Sequence, residues 1–225
     1  VQRPFVITID GPAGSGKSTL GELLAQRLGY LYFDTGVLYR ALTLAALQQN
    51  VAFEDHQALT QLAQQVQIEV LPALQADGRQ YTVLVSKQDV TWEIRSLDVE
   101  RHVSLVARVP GVRTELIRQQ RLIGQQGAVV MVGRDAGTVI MPDAPLKIYL
   151  EASLQERAQR RVAAQNGLGP ALELEQVEQA LARRDALDEH VIRPAPDAFI
   201  LQTDDLSPAA EVAWVLNLLE HKPLN

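Results

Sequence analysis

The chain has 225 residues, 47% of them hydrophobic and 21% charged, which is ordinary globular composition and enough for one α/β domain with a small insertion. Its formal net charge of −6 supplies no global field for nucleic acid, so an anionic ligand must be held by locally placed arginine and lysine. There are no cysteines, which excludes disulfides and thiolate chemistry, and the lack of a long apolar run or leader pattern predicts a cytoplasmic protein without membrane contact.

Val6 to Ile9 is a short β-branched run that reads as a buried strand. It leads into Gly11-Pro12-Ala13-Gly14-Ser15-Gly16-Lys17-Ser18, which fills G-x-x-x-x-G-K-[ST] without departure. Thr19 to Ala25 then has the apolar spacing of a helix's first turns. Strand, glycine-rich loop and helix in that order are the context of a phosphate-binding loop. Gly11, Pro12, Ala13, Gly14, Ser15, Gly16, Lys17, Ser18 and Thr19 are the expected nucleoside triphosphate cradle. Small residues let successive backbone N–H groups face an anion, and the helix N-terminus adds partial positive charge. Lys17 should reach the β- and γ-phosphates, and the Ser18 hydroxyl should ligate Mg²⁺.

Tyr30 to Phe33 is a second strand, after which Asp34 or Thr35 can cap a helix from about Val37 to Gln48. Alternating strands and helices imply a parallel sheet, whose ligands gather at the strands' carboxyl ends. Asp10, Asp34 and the loop after Val132 all sit at such ends. Asp34 can either cap its helix or hold a magnesium-bound water. From Val51 to about Glu100 the pattern changes. A helical stretch (Glu54 to Gln67) precedes the period-2 runs Gln67–Leu71 and Tyr81–Val85, with Ala76-Asp77-Gly78 as turn material and Asp89–Thr91 as a third extended piece. This predicts a small antiparallel sheet inserted at 51–100 into a core made of 1–50 and 101–225.

Helices are predicted at about Leu97–Ala107 and Pro110–Ile123, a central strand at Ala128–Val132 and another at Leu146–Leu150. Ser153 to Gln165 is helical and carries Arg157, Arg160 and Arg161. Asn166 to Pro170 breaks it, and Glu173 to Leu187 is the next helix. Phe199–Leu201 is a last strand and Pro208–Glu220 a closing helix. No N-K-x-D or D-x-x-G segment marks a GTPase, and the central strand ends in Val132-Gly133-Arg134-Asp135 instead of the acidic pair of a motor ATPase. Arg40, Arg113 and Arg134 fall in or beside loops on the phosphate-loop side, as a kinase with an anionic acceptor requires. His56, His102, His190 and His221 are scattered and read as surface residues.

The blocks D-G-P-A-G-S-G-K-S-T, Y-x-x-x-D-T-G-V-x-Y-R, V-T-x-E-I-R-S-x-x-V, V-S-x-V-A-x-x-P-x-V-R, Q-R, G-R-D-x-G-T-V-x-x-P-D-A and E-R-A-x-R-R run in order from about Ile7 to Arg161 and resume at Arg184-Asp185. Together they resemble the bacterial cytidylate kinase family, within the P-loop nucleoside monophosphate kinases. The resemblance implies a P-loop three-layer α/β/α fold with a parallel five-stranded core, an NMP-binding insertion and a helical lid at about 153–190. It implies transfer of the ATP γ-phosphate to CMP and dCMP with Mg²⁺, by a monomer whose partners are small-molecule nucleotides.

By similarity, Arg40 and Arg134 take the acceptor phosphate and Thr35 and Asp135 the cytosine, with Arg113 on the ring's acceptor edge. A carboxylate accepts from cytosine's exocyclic amine and repels the carbonyl oxygen that uracil offers instead. Ser104 matches a residue near the ribose, and Arg184 with Asp188 matches the sugar-binding R-D-x-x-D. Lys17 and Arg134, with Arg157 and Arg161 from the lid, would stabilise the transferring charge; Arg160 is adjacent to that face. No general base is expected, because an anionic acceptor needs neutralisation more than deprotonation. Two departures touch the acceptor side: the segment after Asp188 is about four residues short, with Val191 at the position of a base-contacting arginine, and Val132 stands where an acidic residue is common. A UMP kinase and a non-catalytic nucleotide-binding regulatory module remain the alternatives.

Overall fold

The computed structural model describes residues 6–165, 173–189 and 191–221. The strands β1 (Val6–Asp10), β2 (Leu31–Asp34), β6 (Val129–Val132), β7 (Leu146–Glu151) and β8 (Phe199–Gln202) form one sheet in the order β2-β6-β1-β7-β8. Every pairing is parallel, with Ile9 opposite Val132 on one side and Ile148 on the other. β1 and β6 are buried along their whole length, which explains their unbroken apolar composition. Because all five strands run the same way, their carboxyl ends share one edge. Asp10, Asp34 and the Gly133-Arg134-Asp135 segment meet there.

Helices α1 (Lys17–Leu28), α2 (Gly36–Gln48), α5 (Pro110–Gln125) and α8 (Pro208–His221) cover the sheet. α1 sits flush on β6 because Gly21 has no side chain: a Cβ there would lie 2.5 Å from Val132 Cγ2 and 3.1 Å from the Tyr32 ring. Pro110 occupies the first turn of α5, where its missing N–H costs nothing.

The predicted small antiparallel sheet is present: α3 (His56–Gln65) is followed by β3 (Ile68–Pro72), β4 (Tyr81–Val85) and β5 (Gln88–Asp89). Ser86 and Lys87, at φ 49° and 70°, make the tight reversal between β4 and β5. The third extended piece therefore begins a residue earlier than the sequence suggests. It stops at Asp89, whose carboxylate accepts from Thr91 N (3.0 Å) and Thr91 Oγ1 (2.6 Å) and turns the chain. Arg79 is buried here between Asp77 (2.6 Å) and Asp89 (2.5 Å), fastening the loop before β4 to the end of β5. A short 3₁₀ turn (Glu93–Arg95) leads to α4 (Leu97–Ala107), capped by the Ser96 side chain.

α6 (Leu154–Gln165) and α7 (Leu174–Asp188) make the predicted helical pair. They share a small apolar cluster of Ala158, Val177 and Leu181, against which Ala13 of the phosphate loop packs. The expected break at Asn166–Pro170 lies outside the described residues, as does His190.

Candidate active site

The glycine-rich loop starts at Gly11. Its φ of 145° and a would-be Cβ contact of 2.4 Å to the Leu150 carbonyl oxygen admit only glycine, so the loop passes tightly over the end of β7. Gly16, at φ 96°, then opens α1. Lys17 folds back to donate from Nζ to the Pro12 carbonyl at 2.5 Å. Burial, and then the nearby Arg134 guanidinium, push its ammonium down to about 8. The Asp10 carboxylate accepts from the Ala136 and Gly137 amides at 2.8 and 2.7 Å, so the end of β1 holds the segment after Arg134-Asp135 in place. Burial raises that carboxyl to about 6. Asp34 Oδ1 accepts from Gly36 N at 2.9 Å, just ahead of α2, whose N-cap position is Thr35 and carries no side-chain cap, while burial raises the Asp34 carboxyl and Lys17 and Arg40 pull the other way.

Magnesium usually takes one or two protein oxygens plus phosphates and water. Among the described residues no group of three or more carboxylates or histidines could hold a metal by itself. The Ser18 hydroxyl at the loop, with the Asp34 carboxylate near Lys17, is a donor set that fits an ion bound mainly through its nucleotide.

The arginines expected on the acceptor side each have a carboxylate nearby, mostly from another element. Arg40 on α2 pairs with Glu100 of α4 at 2.6 Å, and Arg113 on α5 pairs with Asp135 at 2.8 Å. Arg134 pairs with Asp188 of α7, and burial, with Arg184 next, lowers its guanidinium to about 10. Arg184 lies farther from Asp188 at 3.9 Å and has Arg161, Glu100 and Arg40 as charged neighbours. Thr35 is buried under Gly133, and its carbonyl accepts from Gln120 Nε2 at 2.9 Å. Ser104 is exposed on α4. Val191 follows α7 directly, its amide donating to the Asp188 carbonyl at 2.8 Å.

The three arginines of α6 occupy distinct positions. Arg157 is buried and donates to the Ala13 carbonyl (3.1 Å), the Ala152 carbonyl (3.2 Å) and Asp185 of α7 (2.7 Å), joining α6 and α7 to the phosphate loop. Arg160 donates to Glu156 (2.9 Å) and Thr203 Oγ1 (3.0 Å), and its Nη1 would lie 3.7 Å from a Cβ on Gly16. Arg161 is exposed and faces Arg184.

A profile of the cytidylate kinase family matches residues 7–221. The chain belongs to that family. It is 62% identical over 214 residues to a cytidylate kinase of Chloroflexus aggregans, covering 95% of this chain and 93% of that one. It is 57% identical over 217 residues to a cytidylate kinase of Roseiflexus castenholzii, covering 96% and 94%. Among solved structures, a shikimate kinase from Acinetobacter baumannii superposes with a TM-score of 0.52 at 15% identity, covering all of this chain and 97% of that one. That likeness shows a P-loop kinase fold and nothing of the acceptor.

Several residues of this cytidylate kinase-family site escape a sequence reading. Asp10 ends a strand in plain view, but its grip on the Ala136 and Gly137 amides spans 126 and 127 positions. Gln120 was legible only as part of Q-R. Asp185 sits in R-D-x-x-D between the two residues matched to the sugar, and its own partner is Arg157. Glu211 gave no signal: it is buried on α8 beside Gly16, where burial raises its carboxyl to about 7 against the pull of Arg160. His102 stacks on Phe53, ring centroids 4.5 Å apart, and lies outside the site.

Proposed function

We infer that this protein transfers the γ-phosphoryl group of ATP to the phosphate of CMP and dCMP, giving the diphosphates. The observation that carries this reading is that the phosphate loop follows β1 and Arg134 follows β6, paired parallel neighbours, so two cationic centres share one sheet edge and the Arg134 charge acts on the Lys17 ammonium. A donor phosphate on Lys17 and an acceptor phosphate on Arg134 face one another. The acceptor oxygen, already anionic, forms the new bond to the γ-phosphorus as the bond to the β-bridging oxygen breaks, and ADP leaves with that electron pair. No proton has to be abstracted, so the work is positioning and neutralisation of charge. When bound, Mg²⁺ would neutralise charge on the β- and γ-oxygens, held by Ser18 and, through water, Asp34.

Lys17 and the loop amides hold the donor phosphates. Arg40 and Arg134 clamp the acceptor phosphate, and Asp135 and Arg113 present acceptor and donor to the cytosine edge, with Thr35 beside them. Arg184, Asp188 and Ser104 belong to the ribose side. Arg157, Arg160 and Arg161 close over the donor; of these, Arg161 is the exposed one. The 51–100 insertion is the acceptor-side lobe and the α6–α7 pair the lid. The Arg113–Asp135 pair favours cytosine over uracil, because uracil's carbonyl would face the carboxylate. The test is release of ADP from ATP with CMP, dCMP, UMP, AMP and GMP supplied in turn. Turnover with CMP and dCMP well above UMP is expected, and equal turnover of UMP would overturn the base assignment.

A further inference from the structure

Arg40 is already engaged by another anion of the protein. Its Nη2 meets Glu100 Oε2 at 2.6 Å, joining α2 to α4 across 60 positions of sequence. Glu100 belongs to the first turn of α4, where Asp98 also sits and an acidic residue is favoured by the helix dipole. Its side chain is 59% exposed against 30% for Arg40, so the carboxylate comes from the solvent side onto the guanidinium. Arg184 of α7 has both Glu100 and Arg40 among its charged neighbours. One carboxylate from α4 therefore occupies the Arg40 guanidinium, the group an acceptor phosphate must contact to use Arg40.

We propose that Glu100 sets the affinity for the acceptor by competing with the acceptor phosphate for the Arg40 guanidinium. This rests on the assignment of Arg40 as an acceptor clamp. The exchange is feasible because an exposed ion pair is weak and its partners are hydrated on release. A phosphate dianion offers Arg40 a better bidentate match than one carboxylate oxygen. After the exchange the displaced carboxylate stays within a few ångströms of the phosphate and repels it, a penalty that falls on the acceptor and not on ATP.

The variant E100Q removes the charge from an exposed side chain and keeps its size. In it, KM for CMP is expected to fall about three- to fivefold, the order given by one like-charge contact near the surface. The turnover number and KM for ATP should change by less than about twofold. Cytidine, which lacks the phosphate, should inhibit both forms with the same Ki. The gap between E100Q and the unmutated enzyme should close as salt is raised from about 0.05 to 0.5 M, because screening weakens exposed charge contacts. E100A should follow E100Q. An unchanged or raised KM for CMP in both variants, or an equal drop in the Ki of cytidine, would overturn the proposal. Absence of CMP turnover in the unmutated protein would instead overturn the kinase assignment. Calorimetric CMP binding by E100Q and the unmutated protein decides the role of Glu100 without relying on turnover.

Discussion

Raising the pH from 7 to 9 isolates the contribution of Lys17 to ATP capture. Its ammonium is pushed down to about 8 by burial and by Arg134. The free enzyme then carries Lys17 charged in ~90% of molecules at pH 7, ~50% at pH 8 and ~10% at pH 9. Since kcat/KM reports ionisation of the free enzyme, kcat/KM for ATP should fall about tenfold across that interval. In the complex the triphosphate surrounds the ammonium with negative charge and raises its pKa, so kcat should hold within about twofold. Fold stability responds in the opposite sense. Lys17 titrates near 8 in the folded chain and at 10.5 when solvated, so the unfolded chain binds more protons between those values. The contribution of this group to stability therefore rises with pH across that window. The assay is direct quantification of ADP at saturating CMP with ATP varied at pH 7, 8 and 9, alongside Tm at each pH. A kcat/KM for ATP that stays flat, or falls only in step with kcat, would refute the reasoning; a falling Tm would assign the loss to unfolding.

Three further changes test other parts of the site. Asp135→Asn replaces an acceptor with a partial donor and frees Arg113, so the CMP-over-UMP ratio of kcat/KM should drop about 10- to 100-fold while KM for ATP stays put; steady-state kinetics with both acceptors reads this. Arg157→Ala leaves Asp185 without its 2.7 Å partner and the Ala13 carbonyl without its donor, so stability should fall by about 2 kcal/mol in urea denaturation and KM for ATP should rise; an unchanged KM would show that the lid does not brace the loop. Gly21→Ala forces a Cβ within 2.5 Å of Val132 Cγ2, so α1 must shift from β6 at a cost of about 1–3 kcal/mol, read as a Tm lowered by several degrees.

What the sequence made legible was local. The phosphate loop could be read because its strand, glycines and lysine are contiguous, and the structure keeps them so from Val6 to Leu28. The parallel sheet followed from the alternation of elements, and the small antiparallel sheet from the change to period 2. The third strand was misjudged by a residue because the side chain of Asp89, not its β-propensity, decides where the chain turns. Arg113 and Asp135 were each identified, but their 2.8 Å contact spans 22 positions and appears only once α5 packs beside β6. Asp185 and Glu211 were hidden for a different reason. An acidic residue on a helix is most often solvated, and only the placement of α7 and α8 shows that these two face the arginines of the lid.

α7 has a consequence for how the two substrates sense each other. Asp185 holds Arg157, which reaches the phosphate loop, and Asp188 holds Arg134, the proposed clamp on the acceptor phosphate. The two carboxylates lie one turn apart on a single rigid rod. On the proposed roles, an acceptor phosphate that takes up Arg134 competes with Asp188, and any shift of α7 that follows would reach Arg157. Linkage then fixes the outcome: whatever factor CMP applies to the affinity for ATP, ATP applies to the affinity for CMP.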